Sequence, residues 1–207
     1  MRSIKYYCLL LVFGLISNAS AQDFNMKKLP IHISYYGDNG IHPGFKIGTS
    51  FKFWSKEKLK KYRLDFRQNK HGNKIKIKEL NVDYNLGLYS HANNHLGLFT
   101  SIGVSYLRIK TRKGRMFGVS FELGYLRRMY KFQTYELNLD GVIKEYNLAG
   151  SNAIMLSIAP VFGKQFKISD HLVRFFTKPN LQLVKYNEKI QPNASFELGM
   201  TFNVNTK

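Results

Sequence analysis

The sequence has a single cysteine, Cys8, and it lies in an N-terminal segment expected to be removed. What remains has no thiol, which excludes disulfides, thiol catalysis and thiolate metal sites. Acidic residues are also scarce: 13 Asp and Glu stand against 32 Lys and Arg, for a net charge of +19. In an intracellular chain such an excess would point first to nucleic acid. In an exported chain it points instead to phosphate-bearing and acidic glycan surfaces, with no nucleic-acid partner. Beyond residue 22 there is no apolar run near the roughly 20 residues that a membrane helix needs. Any membrane crossing must then be made by strands, and only a closed barrel leaves no unpaired backbone in lipid.

The first residues read MRSIKYYCLLLVFGLISNASAQ. Arg2 and Lys5 form a basic start, Tyr6 to Ile16 an apolar core, and Ala19-Ser20-Ala21 a small-x-small cleavage signal. The pattern predicts a signal peptide over residues 1–21, with export and a mature chain starting at Gln22. The apolar core is too short for a spanning helix.

What is present in abundance is alternation with period two. From Phe117 to Tyr125 the odd positions are Phe, Val, Phe, Leu and Tyr, and the even ones are Gly118, Ser120, Glu122 and Gly124. A strand with one apolar and one small or polar face reads this way, whereas a helix would smear the two sets around its axis. The same pattern recurs at 44–54, 62–67, about 74–89, 96–106, 154–164, 175–183 and 195–204, giving about eight strands. Ile75 and Ile77 predict a register break near Glu79, and Pro160 and Pro179 predict bulged or weakened ladders. Residues 22–43 are read as a periplasmic segment or an extra strand, and residues 44–207 as the barrel. With both termini periplasmic, short turns fall at 68–73, 110–114 and 167–170. Outer connections then fall at 55–59, 91–95, 131–150 and 185–194, with a small hairpin around Asp140-Gly141.

The polar face decides which side is which. It is crowded with glycine and serine, among them Gly48, Ser50, Ser101, Gly103, Gly118 and Gly199. Solvent-facing strands rarely carry such glycine, which weakens a strand, but a cramped polar lumen suits it. The Phe, Leu, Ile and Tyr face suits lipid. The fold class predicted is an all-β, antiparallel, up-and-down transmembrane barrel without a wide pore. A soluble periplasmic ligand-binding barrel, with its apolar face inside, is the alternative.

The tetrapeptide FELG occurs at 121–124 and 196–199 and turns Glu122 and Glu197 into the lumen. Buried carboxylates need cationic partners. Lys46, Lys52, Arg63, Arg67 and Lys178 face inward by parity, and Lys52 is the partner expected for Glu197 because the last strand closes on the first. His91 and His95 flank a hairpin tip and are the metal-ligand candidates, though no carboxylate lies beside them. Ser90 next to His91 is the sole candidate for acyl hydrolysis, lacking a glycine elbow and an orienting acid. Arg127, Arg128 and Lys131 are candidates for lipopolysaccharide phosphates. A second basic group, Arg108 to Arg115, lies at the opposite end of the same strand, and Lys56 to Lys61 invites the same reading. No cofactor is expected.

With HPGFKIG at 42–48, its glycine and aromatic dyads, and FELGMTFNV at 196–204, the mature chain resembles the small outer-membrane β-barrel proteins of the Bacteroidota type. Its architecture is similar to the eight-stranded barrels of other Gram-negative outer membranes. It departs from many of them in closing on Asn205-Thr206-Lys207 rather than on an aromatic residue. The resemblance implies an outer-membrane location and contact with outer-membrane lipid, lipopolysaccharide and other outer-membrane proteins. Its implied role is structural or interactive, for example as an accessory subunit of a larger assembly. Some such barrels modify lipid A, which makes acyl hydrolysis the alternative activity.

Overall fold

The computed structural model describes residues 29–60, 74–92, 94–111, 113–132, 134–137, 143–146, 149–168, 171–186 and 189–203. The expected signal peptide, the strand expected at 62–67, Arg63 and Arg67 lie outside them. In chain order the strands are β1 (Pro30–Asp38), β2 (His42–Lys60), β3 (Lys74–Ser90), β4 (His95–Lys110) and β5 (Arg115–Tyr130). They are followed by β6 (Thr134–Leu137), β7 (Ile143–Tyr146), β8 (Gly150–Ile168), β9 (His171–Tyr186) and β10 (Lys189–Asn203). Eight of them close an antiparallel barrel in the order β1-β10-β9-β8-β5-β4-β3-β2, while β6 and β7 form a separate hairpin. Every barrel strand except the closing pair follows its sequence neighbour, so this is an up-and-down barrel.

The barrel begins at Pro30 rather than at residue 44. Pro30–Asp38 pairs with β10 on one side and β2 on the other, which makes it the closing strand. Its outward residues Ile31, Ile33 and Tyr35 alternate with buried His32, Ser34 and Tyr36. A three-residue turn, Asn39 to Ile41, leads into β2, and Asn39 and Gly40 in it have positive φ (50° and 72°).

The outer connection expected at 55–59 does not exist. β2 runs on to Lys60, paired residue for residue with β3 from Ser55↔Glu79 to Lys60↔Lys74. The irregularity expected near Glu79 falls instead on β2, where Phe53 is the extra residue between Lys52 and Trp54. β3 keeps one parity throughout against β4. Ile77 simply continues the inward series and packs against an inner apolar cluster.

Neither proline produces a bulge. Register is the same on both sides of the break in the β8–β9 ladder, with Ile158↔Leu181 before it and Phe162↔Thr177 after it. That register sets Pro160 opposite Pro179, so two residues without an N–H share one gap.

The faces sort cleanly. Phe117, Phe121, Leu123 and Leu198 are each about half exposed on the outside (42–57% with Phe196). Glu122, Ser120 and Ser101 are buried at 2–3%. A soluble ligand-carrying barrel would show the reverse, and that alternative is not met. The β5 cations Arg115 and Arg127 bracket this outer apolar face. Their separation along a strand tilted by about 40° gives an apolar belt about 30 Å tall, the thickness of a bilayer's hydrocarbon.

Candidate functional site

The interior is built in layers by the inward positions of all eight strands. At the end away from the termini, Tyr36, Tyr89, Phe99, Leu126, Met155 and Val184 form an apolar plug. Inner glycines make room for it: a side chain at Gly87 would run into the Phe99 ring, and one at Gly97 into the Tyr89 ring. At the terminal end Leu107, Ile109, Met116, Val161 and Phe176 form a second plug. On β5 the inward series runs from Met116 through Glu122 to Leu126, so the charged layer lies between the two.

Lys46 of β2 is the centre of that layer. Its Nζ donates to Glu122 Oε2 at 2.9 Å and Oε1 at 3.2 Å, and to Glu197 Oε1 at 2.6 Å. All three side chains are 2–3% exposed. Lys178 Nζ lies 3.6 Å from Glu122 and over the Phe176 ring. Ser101 Oγ (2.9 Å) and Asn85 Nδ2 (3.2 Å) also donate to Glu122, and Asn180 Nδ2 lies 3.5 Å from Glu197. His32 Nε2 meets Asn85 Oδ1 at 2.5 Å. Two lysines thus neutralise two glutamates, and both Glu122 and Glu197 are met by more than one donor. Such saturation is what makes buried charge tolerable. Gly103, directly across from Glu122, gives the glutamate stem room, since a Cβ there would lie 2.7 Å from Glu122 Cγ.

A second cluster lies toward the terminal end. Arg174 grips Glu79 with two nearly parallel bonds of 2.9 and 3.1 Å, and half-exposed Lys52 completes the site at 3.2 Å. Lys52 is therefore the partner of Glu79, not of Glu197. The pairing expected from sequence fails because Pro30–Asp38, rather than the strand carrying Lys52, closes against β10, which leaves Lys46 within reach of Glu197. Sequence reading missed Glu79, Arg174 and His32 as lumen groups, and placed Asn85 and Ser101 on the inner face without assigning them partners. The signal for Glu79 was present: the parity of Asn81, Asp83 and Asn85 extends back to it without a break.

The groups proposed for chemistry are engaged otherwise. Ser90 Oγ accepts a 2.9 Å bond from Lys131 Nζ, which also donates to the His91 carbonyl at 3.0 Å. His91 Nδ1 is buried with no hydrogen-bond partner. Among the described residues no Ser90–His91 bond forms. The rings of His42, His91 and His95 stack, with centroids 3.7 and 5.0 Å apart. No group of three or more His, Cys, Asp or Glu side chains placed to hold a metal is found among the described residues. Arg127 and Arg128 face opposite ways, so they do not form one outward patch. Arg127 faces outward and bonds Asn152, whereas Arg128 turns into the mouth, over the Tyr186 ring and toward the Tyr89 hydroxyl.

Neither a protein-family model nor a curated protein sequence matches the chain. Solved structures of similar outline include the N-terminal β-barrel domain of Pseudomonas aeruginosa OprF, at 14% identity and TM-score 0.41, covering 84% of this chain and 97% of that one. Neisserial surface protein A aligns at 14% identity and TM-score 0.45 over 86% of this chain and 96% of its own. The outer membrane enzyme PagL aligns at 10% identity and TM-score 0.41, over 86% and 99%.

Proposed function

We propose that the chain is an integral barrel of a Gram-negative outer membrane with a structural or interaction role, its lumen ion-paired and without a wide pore. The observation that carries this reading is the inversion of faces: Phe121 is 49% exposed while its neighbour Glu122 is 3% exposed. An apolar belt of that height cannot stay in water without aggregating. The apolar clusters at either end and the ion-paired layer between them support a lumen without a wide pore. Exposed Phe132 and Tyr135, beside and within the β6–β7 hairpin, are of the residue type that protein interfaces enrich. They suit contact with another outer-membrane protein, as an accessory subunit of a larger assembly would make. With both termini on the periplasmic side, Arg127 is an outward cation at the outer edge, where it can meet lipopolysaccharide phosphates.

The test is migration of the membrane fraction in detergent gels with and without boiling. A closed barrel keeps its fold in the unboiled sample and runs at a shifted position. Identical migration in both samples, together with extraction in the absence of detergent, would refute the reading. The double variant Ser90→Ala, His91→Ala should leave the lipid A profile by mass spectrometry unchanged; a changed acyl pattern would instead make the protein a lipid A hydrolase.

A further inference from the structure

Four basic stretches far apart in sequence are brought side by side at the terminal end of the barrel. The register pairs Lys58 with Lys76, Lys76 with Lys110, Lys110 with Arg115 and Arg115 with Lys164. Five cations therefore stand abreast on β2, β3, β4, β5 and β8, at the strand spacing of about 4.8 Å, in an arc about 19 Å long. The row above repeats the pattern over three strands as Lys56, Lys78 and Arg108, and then turns apolar at Phe117 and Phe162. All of these positions share the outward parity of Trp54 and Tyr106. Lys58, Lys110, Arg115 and Lys164 are exposed, and Lys76 is half-buried. No carboxylate stands in either row among the described residues. Glu57 alternates to the other face, opposite Ile77.

Lys110, Arg115 and Lys164 stand directly opposite one another on adjacent strands, and like charges so placed are destabilising, which an external anion would offset. The height of the row identifies which. The arc lies just beyond the edge of the apolar belt, on the surface that faces lipid, where head-group phosphates lie. Long aliphatic stems can lie along the belt while the charged ends reach those phosphates. We infer that this arc is a binding surface for the phosphate groups of anionic glycerophospholipids in the leaflet at the terminal end. The inference rests on the membrane reading above. It places the stronger lipid-phosphate contact at the end opposite Arg127.

The test uses the full folded barrel in micelles, its fold verified by heat-shifted migration, with phosphatidylglycerol, phosphatidylcholine or lipid A added and bound lipid counted by native mass spectrometry. Phosphatidylglycerol should be retained at least about tenfold over phosphatidylcholine, since each basic side chain at a membrane surface adds appreciable attraction for anionic lipid. The triple variant Lys110→Gln, Arg115→Gln, Lys164→Gln should lose most of that preference while still showing the heat shift. Equal retention of the two phospholipids, or a preference unchanged in the variant, would overturn the inference. Preferential retention of lipid A over phosphatidylglycerol would overturn the assignment to glycerophospholipid. If the unboiled protein shows no heat shift and needs no detergent, the membrane reading itself fails, which is a distinct result.

Discussion

Lys46→Met is expected to lower the unfolding free energy by about 3–5 kcal/mol, the usual cost of removing one partner from a buried ionic cluster. Lys46 alone bridges Glu122 and Glu197, and all three side chains are almost fully buried. Its loss leaves two carboxylates in a buried layer with Lys178, which reaches Glu122 at 3.6 Å, as the nearest cation. Methionine fills the stem's volume, so the loss reports charge rather than a cavity. The triple variant Lys46→Met, Glu122→Gln, Glu197→Gln should recover most of the stability, because it removes the cluster whole and keeps acceptors for Asn85 and Ser101. Urea unfolding of the barrel in lipid vesicles measures both. A single variant as stable as the parent would mean that the layer is wet and its charges are solvated.

Phe121→Arg is expected to cost about 2–4 kcal/mol in a bilayer, the penalty for a cation at mid-membrane on the lipid face of a barrel. Phe121 is halfway between the bracketing cations Arg115 and Arg127 on β5, and its neighbours across the strands, Val104 and Ile158, are also apolar and exposed. In a water-facing sheet the same change would stay within about 0.5 kcal/mol, as surface substitutions generally do. The comparison between vesicles and a membrane-free buffer therefore has a sign as well as a size. A variant that folds equally well without lipid, with unaltered stability, would show that the aromatic face is not in hydrocarbon.

The membrane-facing half of this fold is written plainly in the sequence, because a strand buried on two unlike faces must alternate. Phe117 to Tyr125 shows the full pattern, and its parity sorts Glu122 from Phe121 without further information. The closing strand was harder to read, since Pro30–Asp38 has only three outward apolar residues before its turn. Beyond Trp54 the sequence SKEKLKK has no apolar face, so nothing local marks the continuation of β2. It continues because β3 supplies a backbone partner up to Lys60. The barrel of eight counts Pro30–Asp38 among its strands, while the strand expected at 62–67 lies outside the described residues.

The lumen was legible by residue and not by pairing. Parity alone puts Lys46, Lys52, Glu122, Lys178 and Glu197 on the inner face. Which of them touch depends on the stagger of the closed barrel and on which strand completes it. Lys46 and Glu197 are 151 residues apart, and they meet only because β1 sits between their strands. The arc of cations at the terminal end shows the same limit. Arg108 to Arg115 and Lys56 to Lys61 are visible as separate basic runs, but their alignment is a property of register.

Lipid contact of the outer face is measured most directly by tryptophan quenching. Trp54 is the sole tryptophan, so a Trp54→Phe, Phe121→Trp variant carries one reporter at the middle of the belt. In vesicles its emission should be strongly quenched by lipids brominated deep in the acyl chain and left almost untouched by aqueous acrylamide. Efficient acrylamide quenching with no response to the brominated chains would contradict a hydrocarbon-facing belt.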